Sequence, residues 1–284
     1  MSKLKIIECP RDAIQGIHEF IPTATKTAYL NTLLKVGFDT IDFGSFVSPK
    51  AIPQLKDTAE VLTQLNLSET SSKLLAIVAN QRGAEDAANF EEIQYLGYPF
   101  SISETFQQRN TNSSIEQSLG RIEAIQELCV KNGKELVTYI SMGFGNPYGD
   151  PFHEDIVANW IEKLGDLDLK IFALSDTIGV SEPQIISRLF SSLVKEYPEF
   201  EIGAHLHTTP ETWKEKVDAA FKYGCKRFDG AMLGHGGCPM AADDLTGNMA
   251  TENLVAYFRE QGVDLSLDHE LFEKARAEAG KIFL

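Results

Sequence analysis

The feature that most constrains this chain is an alternation repeated eight times: a short β-branched or aromatic run, then a longer stretch with helical periodicity. The paired stretches are 4–9 with 24–36, 40–46 with 57–65, 73–79 with 84–90, and 98–102 with 114–132. They continue as 135–141 with 153–164, 170–175 with 182–195, 201–207 with 212–223, and 227–233 with 251–261. A final amphipathic stretch covers 268–281. Eight such units in series, with no linker and no shift in composition, predict an α/β chain folded as a single (β/α)8 TIM barrel. The expectation is one catalytic domain over residues 1–284, closed by a short C-terminal helix. An open doubly wound sheet would carry a glycine-rich phosphate turn after its first strand, and Cys9-Pro10-Arg11-Asp12 is no such turn.

Composition narrows the function classes. With 43% hydrophobic and 24% charged residues the chain is neither disordered nor membrane-like, and no run approaches the ~20 apolar residues of a spanning helix. Met1-Ser2-Lys3-Leu4-Lys5 runs straight into strand-like Ile6-Ile7, without the parts of a signal peptide, so cytoplasmic residence is expected. The net charge of −15 (26 Lys+Arg against 41 Asp+Glu) argues against a nucleic-acid partner. Cys9, Cys129, Cys225 and Cys238 form no CxxC and are too sparse for a disulfide framework.

In a closed parallel barrel the active site gathers at the C-terminal ends of the strands, so polar residues just after strands are the candidates. His205-Leu206-His207 ends the seventh strand, and residues i and i+2 of a strand face the same side. Neutral imidazole is the commonest metal ligand in proteins. Asp12 is expected at the end of the first strand, beside strands seven and eight once the barrel closes. Asn248 follows the eighth strand and would add an amide oxygen. This mixed oxygen and nitrogen set suits Mg²⁺ or Mn²⁺ better than closed tetrahedral zinc. Plainer readings stand beside it: an Arg11–Asp12 ion pair, and Asn248 as a helix N-cap. Gly234-His235-Gly236-Gly237-Cys238-Pro239 is either an ordinary glycine-rich loop or one that brings the Cys238 thiol to a ligand as a proton carrier.

Six blocks resemble the 3-hydroxy-3-methylglutaryl-CoA lyase family, in the family's order and across residues 8 to 255: Arg11-Asp12-Ala13-Ile14-Gln15, Ser45-Phe46-Val47-Ser48-Pro49-Lys50, Asp176-Thr177-Ile178-Gly179, His205-Leu206-His207, Gly236-Gly237-Cys238-Pro239, and Gly247-Asn248 with Ala250-Thr251-Glu252. The resemblance implies a divalent-metal barrel enzyme that splits 3-hydroxy-3-methylglutaryl-CoA into acetyl-CoA and acetoacetate. It further implies Asp12, His205, His207 and Asn248 as metal ligands and Arg11 as the support of the substrate carbonyl and developing enolate. Cys238 matches the loop cysteine, Asp42 the acid on strand two, and Glu252 the acid after the Asn ligand. The chain departs from the family at Thr208, at the shorter Asp42, at Ala13-Ile14, at His235, and in a spacer over 240–244 that is one residue longer.

The chemistry agrees with the residue types. Cleavage beside a tertiary alcohol needs the hydroxyl to lose its proton, to Asp12 or His205, while the departing carbon becomes an enolate. A divalent cation makes that hydroxyl more acidic, and Arg11 offers permanent positive charge for the thioester oxygen. For the coenzyme A portion, Lys50, Asn80 and Arg82 lie on loops after strands two and three, where solvated charge is the plainer reading. Two other functions remain open at this point. A Claisen-type synthase or aldolase, like the isopropylmalate and citramalate synthases, would share the Asp and HxH ligands but lack the Gly-Gly-Cys-Pro loop. A non-catalytic acyl-CoA-binding homologue would bind its thioester equally with and without metal. A homodimer is one assembly open to any of these.

Overall fold

The computed structural model describes residues 3–237 and 246–283. Eight strands pair in chain order and all run parallel: β1 (Lys5–Glu8), β2 (Thr40–Ser45), β3 (Lys73–Ile77), β4 (Ile93–Ser101), β5 (Glu135–Ser141), β6 (Ile171–Ser175), β7 (Glu201–His205) and β8 (Arg227–Gly230). The ring closes where β8 returns to β1, with Lys5 opposite Arg227 and Glu8 opposite Gly230. The expected (β/α)8 barrel is therefore present, and its strand ends define the mouth in which function is sought.

Helices α1 (Pro10–Gln15) and α2 (Thr23–Val36) follow β1, α3 (Thr58–Thr63) follows β2, and α4 (Gln81–Ala88) follows β3. After β4 come α5 (Glu104–Thr111) and α6 (Ile115–Lys131), and after β5 comes α7 (Glu154–Gly165). The last units carry α8 (Pro183–Glu196), α9 (Trp213–Lys222) and α10 (Thr251–Glu260), and α11 (His269–Ile282) packs back on α2. The outer shell is held by side chains such as Leu30, Leu33 and Leu34 of α2, each at most 1% exposed, and by ring pairs such as Phe228 on Phe258 at 5.0 Å. Burial on this scale contributes roughly 1.5–3 kcal/mol per large apolar side chain.

Three local differences from the sequence reading bear on the site. Asp12 does not end β1. Pro10, whose ring fixes φ and whose missing N–H costs nothing in a first turn, opens α1 directly after Cys9, and Asp12 lies in that first turn. Strand β7 ends at His205 and β8 at Gly230, so His207 and Leu233 are beyond the paired strands. Strand β4 begins at Ile93 rather than at 98. Cys238 lies outside the described residues.

The seam between β8 and β1 has its own fastening. Glu8 is fully buried on the outer face of β1, and its carboxyl accepts from the Met232 amide (2.9 Å) and the Thr251 hydroxyl. Burial pushes this carboxyl from 4.5 up to about 8. One side chain of the first strand thus holds both the turn after the last strand and the start of α10.

Candidate active site

The barrel interior is divided. On the β3–β6 side it is apolar, a cluster of Leu75, Ile77, Tyr95, Val137, Tyr139 and Ile171. On the β7–β8–β1–β2 side it carries buried His205, Arg227, Asp229, Cys9 and Asp42. Above this floor opens a cleft. Arg11, Asp12, His205 and His207 form one wall, Val47, Ile77, Ala79 and Pro99 another, and Phe106 and Asn110 lie along it as well.

Arg11 organises the polar wall. Its Nε donates to Asp42 (2.9 Å to Oδ2), its Nη2 donates to the same carboxylate (2.5 Å), and its Nη1 donates to Asp12 (2.6 Å) and Gln15 (2.9 Å). One N–H on Nη2 remains after these bonds, at a guanidinium that lines the cleft. The Arg11–Asp12 ion pair, the plainer reading of this acid, is therefore present, and it coexists with convergence on the histidines. Asp42, fully buried behind Arg11, is pushed by burial up to about 6 against the pull of that guanidinium. It grips Arg11 and does not line the cleft.

One ligand atom from each of Asp12, His205 and His207 lies within 4.8 Å of the others. Burial acts to raise the Asp12 carboxyl, but Arg11 and the nearby histidines outweigh it and bring it to about 2, so it is ionised. Burial, with His205 beside it, lowers His207 to about 4, so its ring is neutral. Burial would lower His205 too, yet its hydrogen bond to Asp229 and that residue's charge lift it above its ordinary value. An ionised carboxylate and two imidazoles at this separation fit a divalent cation by donor chemistry.

The strand-like reach of His207 comes from the returning chain. His207 forms an antiparallel bridge with Asn248, and the Thr208 amide donates to the Gly247 carbonyl at 2.9 Å. This lays Asn248 across the end of β7, where its amide nitrogen donates to Asp12 (2.6 Å) and to the His235 carbonyl (2.8 Å). Asn248 is not a helix cap, since Ala250 occupies that place on α10. To present its oxygen to an ion, the amide would turn about its last torsion and give up both contacts. Gly236 shows how tight this corner is: φ is 99°, and a Cβ there would lie 2.5 Å from the Asn248 nitrogen and 2.8 Å from the Asp12 carbonyl.

The remaining candidates are elsewhere. Glu252 accepts from the Leu233 amide at 3.1 Å and braces the turn after β8, and it is not among the residues lining the cleft. Lys50, Asn80 and Arg82 are exposed and do not line it either; Asn80 caps α4, accepting from the Gly83 amide at 3.0 Å. Two contributors escaped the sequence reading. Lys216, buried on α9, donates to Asp176 (2.8 Å), to the Gly179 carbonyl and to the His207 carbonyl (both 3.0 Å), so it ties the loop after β6 to the segment that follows β7. Asp229 stands opposite His205 in the β7–β8 register. The lone signals were a lysine amid a helical pattern and an Asp inside an apolar strand.

Comparison with known proteins follows the same lines. The HMGL-like family model matches residues 3–277. The chain is 31% identical over 274 residues to the cytoplasmic 3-hydroxy-3-methylglutaryl-CoA lyase of Rattus norvegicus, covering 95% of this chain and 78% of that protein. It is 33% identical over 252 residues to a hydroxymethylglutaryl-CoA lyase of Bacillus subtilis (strain 168), covering 89% and 83%. A solved HMG-CoA lyase from Acinetobacter baumannii, in complex with coenzyme A and 3-methylmalate, matches with a TM-score of 0.91 at 30% identity, covering 99% of this chain and 91% of that one.

Proposed function

The chain belongs to the HMGL-like family, and on that footing we propose that it is a carbon–carbon lyase that cleaves 3-hydroxy-3-methylglutaryl-CoA to acetyl-CoA and acetoacetate. The observation that carries this reading is the convergence of Asp12, His205 and His207 beside Arg11 in one cleft. Asp12, His205, His207 and Asn248 would hold the cation, Mg²⁺ or Mn²⁺. When bound, the ion supplies Lewis-acid polarisation of the substrate's hydroxyl and carbonyl oxygens.

The chain's own groups account for the rest. The hydroxyl proton leaves to Asp12, the cleft-lining carboxylate of the cluster. As that O–H bond breaks, the adjacent C–C bond breaks with it, and the oxygen becomes the ketone oxygen of acetoacetate. The electron pair passes to the thioester carbon fragment as an enolate. Arg11, fixed by Asp42, Asp12 and Gln15, holds permanent positive charge for that enolate oxygen without having to reorganise. Protonation of the enolate carbon completes acetyl-CoA, and family resemblance assigns that proton to Cys238. The Val47, Ile77, Ala79 and Pro99 wall suits the methyl and methylene carbons of the acyl chain. Cytoplasmic residence belongs to the same reading; among the described residues no helix is long and apolar enough to cross a membrane.

Purified protein supplied with Mg²⁺ or Mn²⁺ is expected to release acetyl-CoA and acetoacetate from this thioester, and no release with either ion overturns the assignment. Cys238→Ala is expected to retain the ion while turnover falls; unchanged turnover removes the thiol from the mechanism.

A further inference from the structure

His205 has two ring nitrogens, and the structure gives Nδ1 a specific partner. Nδ1 lies 3.2 Å from Asp229 Oδ2, across the β7–β8 register. A ring nitrogen of His205 also lies within 4.8 Å of ligand atoms of Asp12 and His207. Asp229 is fully buried, and its second oxygen, Oδ1, has no hydrogen-bond partner among the described residues. The nearest cation, Arg227, stands 3.8 Å from Oδ1, too far to bond it, and its Nη1 goes instead to Glu201 at 3.2 Å. Asp229 is thus compensated in charge by Arg227 but bonded to His205. Tyr139 meets the imidazole edge-on at 5.5 Å and 86°, which limits rotation of the ring.

Asp229 offers Nδ1 an acceptor at 3.2 Å, so in the neutral ring the proton sits on Nδ1 and the Nε2 lone pair is left for a ligand. We propose that Asp229 is a positioning residue that fixes His205 in the Nδ1–H tautomer and so presents Nε2 to the cation held by Asp12 and His207. The proposal rests on reading that cluster as a divalent-cation site. Cys9 is close enough to compete, since its sulfur lies within 4.8 Å of ligand atoms of His205 and Asp229. Its thiol, however, donates to the Ile7 carbonyl at 3.7 Å and leaves the His205–Asp229 bond intact. Burying a carboxylate on the barrel floor is costly, and a role in packing alone would be filled as well by an apolar residue.

The test measures Mn²⁺ affinity by titration calorimetry on the full chain. Asp229→Asn preserves shape but lets the amide donate to Nδ1 and invert the tautomer, and Asp229→Ala removes the partner. Both are expected to weaken Mn²⁺ binding roughly 10- to 100-fold, whereas Arg227→Met is expected to lower the Tm with Mn²⁺ affinity within about twofold of wild type. Equal losses in all three variants, or none in the Asp229 variants, overturn the proposal. Histidine ¹⁵N spectra of the metal-free wild type at alkaline pH, assigned with His205→Gln, read the tautomer even if a variant does not fold. Protonated Nδ1 with bare Nε2 is expected, and the reverse pattern sinks the idea. Wild type that binds no Mn²⁺ would instead refute the cation site itself, a result separable from the tautomer.

Discussion

The two halves of the barrel interior obey different rules. From β3 to β6 the inward side chains are Leu75, Ile77, Tyr95, Val137, Tyr139 and Ile171, whose contribution is volume and contact. From β7 round to β2, and on α1 just above, sit ions and imidazoles with specific partners: Arg11 with Asp42, His205 with Asp229, Arg227 with Glu201. Volume can be exchanged for similar volume at modest cost. A buried charge deprived of its partner cannot be absorbed by repacking. One half is therefore a packed wall and the other is chemistry held in register, and substitutions should fail differently in each.

The sharpest separation is expected from His207→Ala, which removes one of the proposed cation ligands from the polar half. Metal occupancy and turnover should fall together by more than about a hundredfold, beyond the loss typical of outer partners; activity that survives with the ion gone would break the comparison. Next comes Arg11→Met. It strands the Asp42 and Asp12 carboxylates, so urea unfolding should show a loss of about 3–5 kcal/mol along with lower kcat. A stability change near zero would mean that the pair contributes no more than an apolar contact.

Glu8 extends the contrast to the outer face of the same seam. Its folded pKa, about 8, lies above the ordinary 4.5, so the folded chain keeps a proton that the unfolded chain releases. The stabilisation is complete below about 4.5 and is lost as pH rises through about 8. Glu8→Gln should flatten that decline, which across the whole window is on the order of 5 kcal/mol at about 1.36 kcal/mol per pKa unit. Parallel pH–stability curves for wild type and variant would remove Glu8 from the account. The smallest effect belongs to the apolar half: Ile171→Val should cost about 1 kcal/mol and leave Mn²⁺ affinity alone. A change in metal binding there would show that the two halves are not separable.

Much of this was readable in the chain. Strand–helix alternation predicts the barrel because period-2 and period-3.6 patterns are local. Ring closure makes the convergence of Asp12 with His205 and His207 legible, although Asp12 sits in the first turn of α1 and His207 just beyond β7. What escaped has physical causes. Helices α1 and α5 are short and carry little apolar periodicity, so Pro10 as a helix start and the position of Asp12 within a turn were not visible. Strand β4 is interrupted by Gly97 and Pro99, which mask its first half. The Lys216 and Asp229 contacts join residues that only the closed ring brings together. Asn80 shows the opposite case: a polar residue beside the mouth whose side chain is already spent on capping α4.

The joint between β8 and β1 has a consequence for how the protein comes to exist. Asp12 and Asn248 meet at 2.6 Å although 236 positions separate them. During synthesis on the ribosome the acid is exported early and waits for almost the whole polypeptide before its neighbours arrive, so no half-made chain can assemble the proposed cation site. Loops of that length close slowly, and an ion that binds only the finished ring would act as a clasp, its concentration setting how firmly the two ends stay joined.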